Sequence, residues 1–179
     1  KDYYIEEQVL PDWKKDFHKL FLDNKFWKTV KVINDAQKYV DKLIDNDYRI
    51  VLVTSTEPYN FYKKSRWLSR MFPKINLRDN LISCKDKQLM SSYIDILIDD
   101  YPKNLQNKYD NYGNYLTADY IKIMFDHNGQ YAWTKEFKCN NVDSFRVHNW
   151  QETYDLICAL SDEVDIQDVV YDMATDTYM

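Results

Sequence analysis

Two short apolar runs constrain the fold of this 179-residue chain more than any other feature. RIVLVT (49–54) and YIDILI (93–98) consist mostly of β-branched or aliphatic residues. Such runs are typical of strands that are covered on both faces, as in a parallel sheet. Helical patterns are predicted at 30–46, 60–72 and 150–160, and further short strands at 80–84, 119–125 and 144–147. This alternation predicts an α/β fold with a mostly parallel sheet.

The helical patterns also predict which side chains face the core. In the first helix these are Ile33, Ala36, Val40 and Leu43 or Ile44; in the second they are Tyr62, Trp67, Leu68 and Phe72, with Pro73 ending the helix. Near the start of the chain, Trp13, Phe17 and Phe21 recur every four residues and predict another amphipathic helix.

Composition predicts one packed domain and excludes several classes of function. Hydrophobic residues make up 45% of the chain and aromatic residues 16%, which is enough for a core and argues against disorder. The net charge of -5 gives no electrostatic reason to expect a nucleic-acid polymer as partner. A free nucleotide is still compatible with this charge as a ligand, because a local cluster of lysines suffices to bind one phosphate.

Cysteine usage and hydropathy bear on the compartment. Cys84, Cys139 and Cys158 are far apart in the sequence, so neither a disulfide framework nor a zinc site is expected, and a reducing compartment is favoured. No apolar stretch approaches the roughly 20 residues of a membrane span, and no signal peptide opens the sequence. We therefore expect a cytoplasmic protein without a membrane partner.

Both opening runs end in polar groups, at Thr54-Ser55-Thr56 and at Asp99-Asp100. The hydroxyl residues are consistent with a turn or helix cap, or with hydrogen bonding to a phosphate. The two aspartates are consistent with a solvated turn, or with a bound cation that offsets their mutual repulsion. Because ligands of parallel sheets bind beyond the carboxyl ends of the strands, both groups are predicted to face one crevice.

Several cations lie in the segments that follow these strands. They are Lys63, Lys64, Arg66, Lys85 and Lys87. Most lysines are ordinary surface residues, but one or two of these could neutralise a phosphate group. The three histidines are isolated in the sequence, and no metal site is expected among them.

The order of these pieces resembles the haloacid dehalogenase superfamily, and more closely its 5'(3')-deoxyribonucleotidase branch, the cytosolic type C 5'-nucleotidases. The matching pieces are VLVTS, KKSRWLSRMFP, CKDKQL, DILIDDYPKNL, IKIMFDHN and FRVHNWQE, which follow one another from about residue 30 to 157. The piece ILIDD-x-P-x-N and the closing RVHNW are the more specific ones.

The resemblance implies a fold, a cofactor and residue roles. The implied fold is a parallel sheet flanked by helices. The implied function is that of a Mg²⁺-dependent phosphatase that acts on nucleoside monophosphates. The implied phosphate-binding residues are Thr54, Ser55, Lys64, Lys85 and Lys87; Lys64, Asp99 and Asp100 are implied to be catalytic. Asp99 and Asp100 are implied to hold the metal, and Asp100 is favoured as the direct ligand.

One part of the family pattern does not match. The family's nucleophile and acid–base aspartates form a D-x-D motif on a first strand in the middle of the sheet. No such motif at the end of an apolar strand precedes Thr54, so the nucleophile is expected upstream of Lys1. Otherwise another strand fills the gap or the sheet is rearranged. DVVYDMATDT (168–177) loosely resembles the motif, but Ala174 stands where the acid–base aspartate belongs, and an ordinary extension is expected there.

The sequence therefore predicts three segments and leaves two functions open. The segments are part of a helical cap at 1–29, an α/β core at 30–160 and an acidic extension at 161–179. The first function is a 5'-nucleotidase whose nucleophile lies outside these residues. The second is an inactive domain that binds a nucleotide or a protein. A phosphatase for another small phosphate ester is a further alternative, and a homodimer is compatible with each of these functions.

Overall fold

The computed structural model describes residues 19, 21–23, 25–56, 58–139, 141–162 and 168–172, and in the last range Val169 is the one residue with a described side chain. The helix predicted from Trp13 and Phe17, like most of the predicted cap segment 1–29, lies outside the described residues. Phe21 is described, and its ring packs edge-on against Phe26 with the centroids 5.1 Å apart.

Helices and strands alternate through the described chain. The helices are α1 (Phe26–Thr29), α2 (Ala36–Asp45), α3 (Pro58–Met71), α4 (Leu77–Asn80) and α5 (Trp150–Ser161). The strands are β1 (Arg49–Thr54), β2 (Leu81–Ser83), β3 (Ile96–Asp99), β4 (Lys108–Tyr109), β5 (Tyr115–Leu116), β6 (Ile121–Phe125), β7 (Ser144–Val147) and β8 (Asp168–Asp172). Short 3₁₀ turns lie at Lys87–Met90, Pro102–Leu105, His127–Gly129 and Ala132–Glu136.

The main sheet has six strands in the order β2-β1-β8-β3-β6-β7, and every pairing in it is parallel. Strands β4 and β5 form a separate antiparallel hairpin. The α/β class with a parallel sheet flanked by helices, predicted from the two apolar runs, is confirmed.

Both faces of the sheet are covered, which explains why its strands are apolar almost throughout. Ile50, Leu52, Ile96 and Ile98 lie in one buried cluster, together with side chains of α2, α3 and α5. The alternate residues Val51, Val53 and Leu97 lie in a second cluster. A strand that buries alternate side chains in two cores cannot show the polar alternation of a one-sided sheet.

Helix boundaries follow local signals. The side-chain oxygen of Asn149 accepts a hydrogen bond from the N–H of Glu152 at 2.9 Å, and Glu152 reaches back to the N–H of His148 at 2.8 Å. These bonds satisfy donors at the start of α5, as HNWQE predicts. Helix α3 ends at Met71, two residues before Pro73. Trp67 and Leu68 of α3 are buried as predicted, but Tyr62 is 67% exposed, so its predicted inward position is wrong.

The position of β8 differs from the sequence-based prediction. Residues 168–172 belong to the segment expected as an extension, yet they pair with β1 on one side and with β3 on the other. Of the arrangements left open by the sequence, the structure therefore has the one in which another strand lies between the two opening runs. No helix in the described part of the chain is both long enough and apolar enough to cross a bilayer.

Candidate active site

The carboxyl ends of β1 and β3 lie at the same edge of the sheet, with β8 between them. Neighbouring strands are about 4.8 Å apart, so the backbones of β1 and β3 are separated by about 10 Å. Thr54 is the last residue of β1 and Asp99 the last residue of β3. The two strand ends therefore lie on either side of the end of β8.

Thr54 and Lys64 are brought together as the resemblance implies. The Nζ of Lys64 donates a hydrogen bond to Oγ1 of Thr54 at 2.7 Å, and both side chains are buried. Oγ1 of Thr54 also lies 2.7 Å from Oγ1 of Thr56. A lysine and two hydroxyl groups therefore converge at the end of β1, as binding of an anion requires.

The spacing of buried residues in α3 explains how Lys64 reaches this position. Asn60, Lys64, Trp67 and Leu68 are all buried and recur at the three- and four-residue intervals of one helix face. Lys64 thus lies on the face that packs on the sheet, where an isolated charge is unfavourable without polar partners. A buried lysine beside a strand end is more typical of a ligand site than of a surface.

Asp99 and Asp100 are both buried, with exposed fractions of 0% and 7%. One oxygen of Asp99 accepts from the N–H of Tyr101 at 2.7 Å, and the other accepts from the side-chain amide of Asn104 at 2.8 Å. Asp99 is therefore held by its own turn. The backbone oxygen of Asp100 accepts from the indole N–H of Trp133 at 3.0 Å, which fixes the next peptide of the same turn.

The turn after β3 is braced from two directions. The hydroxyl of Tyr120 donates to the backbone oxygen of Asn104 at 2.6 Å. Burial, together with the nearby charge of Asp99, raises the pKa of Tyr120, so the phenol stays protonated and keeps donating. The side-chain amide of Gln88 donates to the backbone oxygens of Lys103 and Gln106 at 2.8 and 2.7 Å. Asp99 and Asp100 thus lie on a rigid turn.

The loop after β2 adjoins the end of β1. The N–H of Cys84 donates to the backbone oxygen of Thr54 at 2.8 Å. Lys85 is exposed, whereas Lys87, two residues further, is completely buried. Burial raises the pKa of the Cys84 thiol, although the charge of Lys87 opposes this shift. Lys87 therefore lies close enough to Cys84 for its charge to act on that thiol.

A third segment is hydrogen-bonded to the aspartate turn from the β7 side. Arg146 donates to the carboxylate of Asp126 at 2.9 Å and to the backbone oxygens of Thr134 and Phe137 at 2.8 and 2.7 Å. These bonds hold the 3₁₀ turn that carries Trp133. Because Trp133 bonds to Asp100, the guanidinium of Arg146 acts on the aspartate turn through this segment.

The predicted site residues divide into three groups. Thr54 and Lys64 are in direct contact, and Asp99 and Asp100 are buried at the end of β3, which is separated from β1 by β8. Lys87 is buried next to the same strand end. Ser55 and Lys85 are exposed, and no contact in the described part of the chain ties either of them to the other site residues.

Two residues that contribute to the site were not singled out as site residues from the sequence. They are Asn104 and Trp133. Asn104 belongs to the motif D-x-P-x-N, where its spacing from Asp99 was visible, but only the hydrogen bond shows what it does. Trp133 lies on a separate turn, 33 residues after Asp100, and nothing in the local sequence links the two.

Asp99 and Asp100 are candidate ligands of a divalent cation. No group of three or more His, Cys, Asp or Glu side chains within the described ranges could hold a metal. Mg²⁺, however, binds to one or two carboxylates and takes its other ligands from phosphate and water. Two adjacent buried carboxylates therefore fit a magnesium ion that is shared with a phosphate, and they do not fit a metal enclosed by protein.

The fold is that of a haloacid dehalogenase-like α/β chain, with a candidate phosphate site at the carboxyl edge of its sheet. A family model described as "5' nucleotidase, deoxy (Pyrimidine), cytosolic type C protein" matches residues 2–162. The chain belongs to that family, and the resemblance inferred from the motifs is confirmed.

A relative supports the same assignment. The chain is 31% identical over 126 residues to a 5'(3')-deoxyribonucleotidase of Clostridium acetobutylicum. The match covers 70% of this chain and 62% of the relative, so it spans less than two thirds of that protein.

Proposed function

We propose that the complete protein is a Mg²⁺-dependent phosphatase that releases phosphate from nucleoside or deoxynucleoside monophosphates through an aspartyl-phosphate intermediate. The observation that carries this proposal is the contact between Lys64 and Thr54, at the sheet edge that also carries the buried pair Asp99 and Asp100. The family and the name of the relative support the substrate class.

The roles of the chain's residues follow from their chemistry. Lys64 is a positive charge beside the hydroxyl of Thr54, so the two groups hold the phosphoryl oxygens and offset negative charge in the transition state. Lys85 and Lys87 supply further positive charge from the loop after β2. Bound magnesium would neutralise charge on the phosphoryl group and orient it.

The two aspartates have different roles. Asp99 accepts two hydrogen bonds from its own turn, so both of its oxygens already have donors. Asp100 follows it on the same braced turn and carries a buried carboxylate. We assign Asp100 as the direct metal ligand, and Asp99 to the shape of the turn and the local negative charge.

The proposal also includes the cap segment, the compartment and the acceptor aspartate. The segment 1–29 is assigned to a helical cap that selects the substrate, and the cytoplasm is the proposed compartment. The acceptor aspartate was predicted to lie outside these residues.

Phosphate release by the complete protein tests the proposal. With dUMP or dTMP as substrate, Asp100→Asn is expected to abolish Mg²⁺-dependent turnover, whereas the exposed Asp155→Asn on α5 is expected to keep it. Unchanged turnover in the Asp100 variant would contradict the assignment. The binding-module alternative is favoured if isothermal titration shows that the wild-type protein binds Mg²⁺ and nucleotide tightly without any turnover.

A further inference from the structure

The segment that follows β2 contacts both halves of the candidate active site. At its start, the N–H of Cys84 donates to the backbone oxygen of Thr54 at 2.8 Å, at the end of β1. Four residues later, the side chain of Gln88 reaches the turn that follows Asp99 and Asp100. One short segment therefore connects two strand ends that β8 separates in the sheet.

The side-chain amide of Gln88 holds the carbonyl groups at the end of the 3₁₀ turn Pro102–Leu105. Gln88 is 3% exposed. Its Nε2 donates to the backbone oxygens of Lys103, Asn104 and Gln106, at 2.8, 3.3 and 2.7 Å. The last carbonyl groups of a helical turn have no donors within that turn. Gln88 supplies donors to them from another part of the chain.

The turn that Gln88 holds also fixes the carboxylate of Asp99. The side-chain amide of Asn104 donates to one oxygen of Asp99 at 2.8 Å, and the N–H of Tyr101 donates to the other at 2.7 Å. Because Gln88 binds the backbone of Asn104 and Asn104 binds Asp99, a shift at Gln88 moves Asp99. It also moves Asp100, which is the next residue of the chain.

Apolar packing alone does not explain a glutamine at this position. Its neighbours Met90 and Leu105 are buried in an apolar cluster. The Oε1 of Gln88 is buried and has no hydrogen-bond donor among the described residues, which is unfavourable for a buried acceptor. Methionine has nearly the same length and carries no such acceptor. The N–H donors of the amide are therefore what a glutamine contributes here.

Resting on the proposed function, we propose that Gln88 is a positioning residue of the magnesium site, whose amide holds the aspartate turn in the shape that binds Mg²⁺. Mg²⁺ requires near-ideal octahedral geometry, with ligand distances of about 2.0 to 2.1 Å. Residues that orient the ligands of a metal commonly change its affinity by about 10- to 100-fold. Gln88 therefore sets the affinity for Mg²⁺ without contacting the substrate.

Titration of the complete protein with Mg²⁺ tests this inference. Gln88→Met keeps the length of the side chain and removes its donors, so the Kd for Mg²⁺ from isothermal titration should rise by about 10-fold or more. The Mg²⁺ concentration that gives half-maximal phosphate release from dUMP should rise equally, and kcat at saturating Mg²⁺ should stay within about threefold of wild type. An unchanged Kd in the folded variant overturns the inference.

Two control variants separate positioning from a general loss of stability. Gln106→Met makes the same substitution at an exposed glutamine that follows the same 3₁₀ turn. Ile157→Val removes a methyl group from a fully buried side chain of α5 and should lower the thermal midpoint. Both variants should bind Mg²⁺ with wild-type affinity. A Kd that rises in Ile157→Val as much as in Gln88→Met overturns the inference, because lost stability would then weaken the site by itself.

Hydrogen exchange of the wild-type protein decides if Gln88→Met does not fold. Added Mg²⁺ should slow exchange at 99–107 and also at 84–90, because Gln88 joins the two segments. Exchange at 84–90 that Mg²⁺ leaves unchanged overturns the inference, and the proposed function stands if phosphate release depends on Mg²⁺. Binding of Mg²⁺ without phosphate release contradicts the proposed function alone, and the titrations still decide on Gln88. Absence of both binding and release overturns both.

Discussion

The Nζ of Lys64 lies 2.7 Å from Oγ1 of Thr54 and joins the inner face of α3 to the end of β1. The two residues are ten positions apart in the sequence, and the contact forms because one helix face buries Lys64 between Asn60 and Trp67. This contact is the part of the candidate site that can be tested most directly.

Replacing Lys64 by methionine keeps most of the side-chain volume and removes the charge. In the complete protein, we expect Lys64→Met to lower kcat/KM by about 100-fold or more, because a preorganised group that offsets transition-state charge contributes at least this much. Steady-state phosphate release measures the change. The matched control is Arg66→Gln, an exposed cation on the same helix, which should stay near wild type. Equal losses in both variants would show a general effect of charge.

Asp99→Asn tests the structural role of the Asp99 carboxylate in the turn after β3. An amide can present only one acceptor oxygen, so one of the bonds from Tyr101 and Asn104 is lost. We expect the free energy of unfolding to fall by about 1 to 3 kcal/mol. Urea denaturation followed by circular dichroism measures it. An Asp99→Asn variant that is as stable as the wild-type protein would contradict this role.

The guanidinium of Arg146 binds one carboxylate and two backbone oxygens. Arg146→Met should lower the free energy of unfolding by about 2 to 4 kcal/mol, because the mostly buried Asp126 loses its partner. Arg146→Lys keeps the charge but not the planar fork, so it should recover only part of this loss. The control is Arg78→Lys, which changes an exposed arginine on α4. The denaturant midpoints of the three variants are compared with that of the wild-type protein. Full recovery by lysine would show that charge alone matters.

The lowered pKa of Asp143 predicts that the stability of the protein depends on pH. Burial raises the pKa of Asp143, but the hydrogen bond and charge of Lys122 outweigh it, so the pKa lies below the ordinary 3.8. A lowered pKa contributes stability above the unfolded value, and this contribution is lost as the pH falls through the folded value. The pair is partly exposed, so Asp143→Asn should cost only about 0.2 to 1 kcal/mol at pH 7. Thermal melts from pH 7 to pH 2.5 should show the two proteins converging below about pH 3.8.

The cysteines should differ in their rates of alkylation. Burial raises the pKa of Cys84, and its thiol donates to the backbone oxygen of Asp86 at 3.3 Å. Cys139 is exposed. Because the thiolate is the reacting form, iodoacetamide at pH 8 should modify Cys139 before Cys84, as followed by peptide mass spectrometry. Faster modification of Cys84 would indicate that the loop after β2 is more open than the structure shows.

The sequence was sufficient to predict those helices and strands whose signals lie within a few neighbouring residues. Hydrophobic periodicity placed α2, α3 and α5, and the two apolar runs placed β1 and β3. The motifs of the chain also identified the family, which the comparison confirms. Periodicity gave a wrong prediction at Tyr62. Its spacing is that of an inward residue, but its side chain is 67% exposed because no element of the described structure covers it.

Residue types alone did not show which cations are buried. Lys64 and Lys87 are buried and Lys85 is exposed, although all three are ordinary lysines in polar segments. The difference arises from the elements that carry them. A helix face turns Lys64 toward the sheet, and a 3₁₀ turn brings Lys87 under the loop after β2.

The class of fold, the family and the residue types at the ends of β1 and β3 could be predicted from the sequence, because these depend on patterns within a few residues. The place of β8 between those strands could be seen only in the folded chain. Its partners begin 119 residues earlier, at Arg49↔Asp168, and 73 residues earlier, at Ile96↔Val169. A strand's place in a sheet is set by hydrogen bonds to partners distant in sequence, and the short segment DVVYD carries no local signal of them.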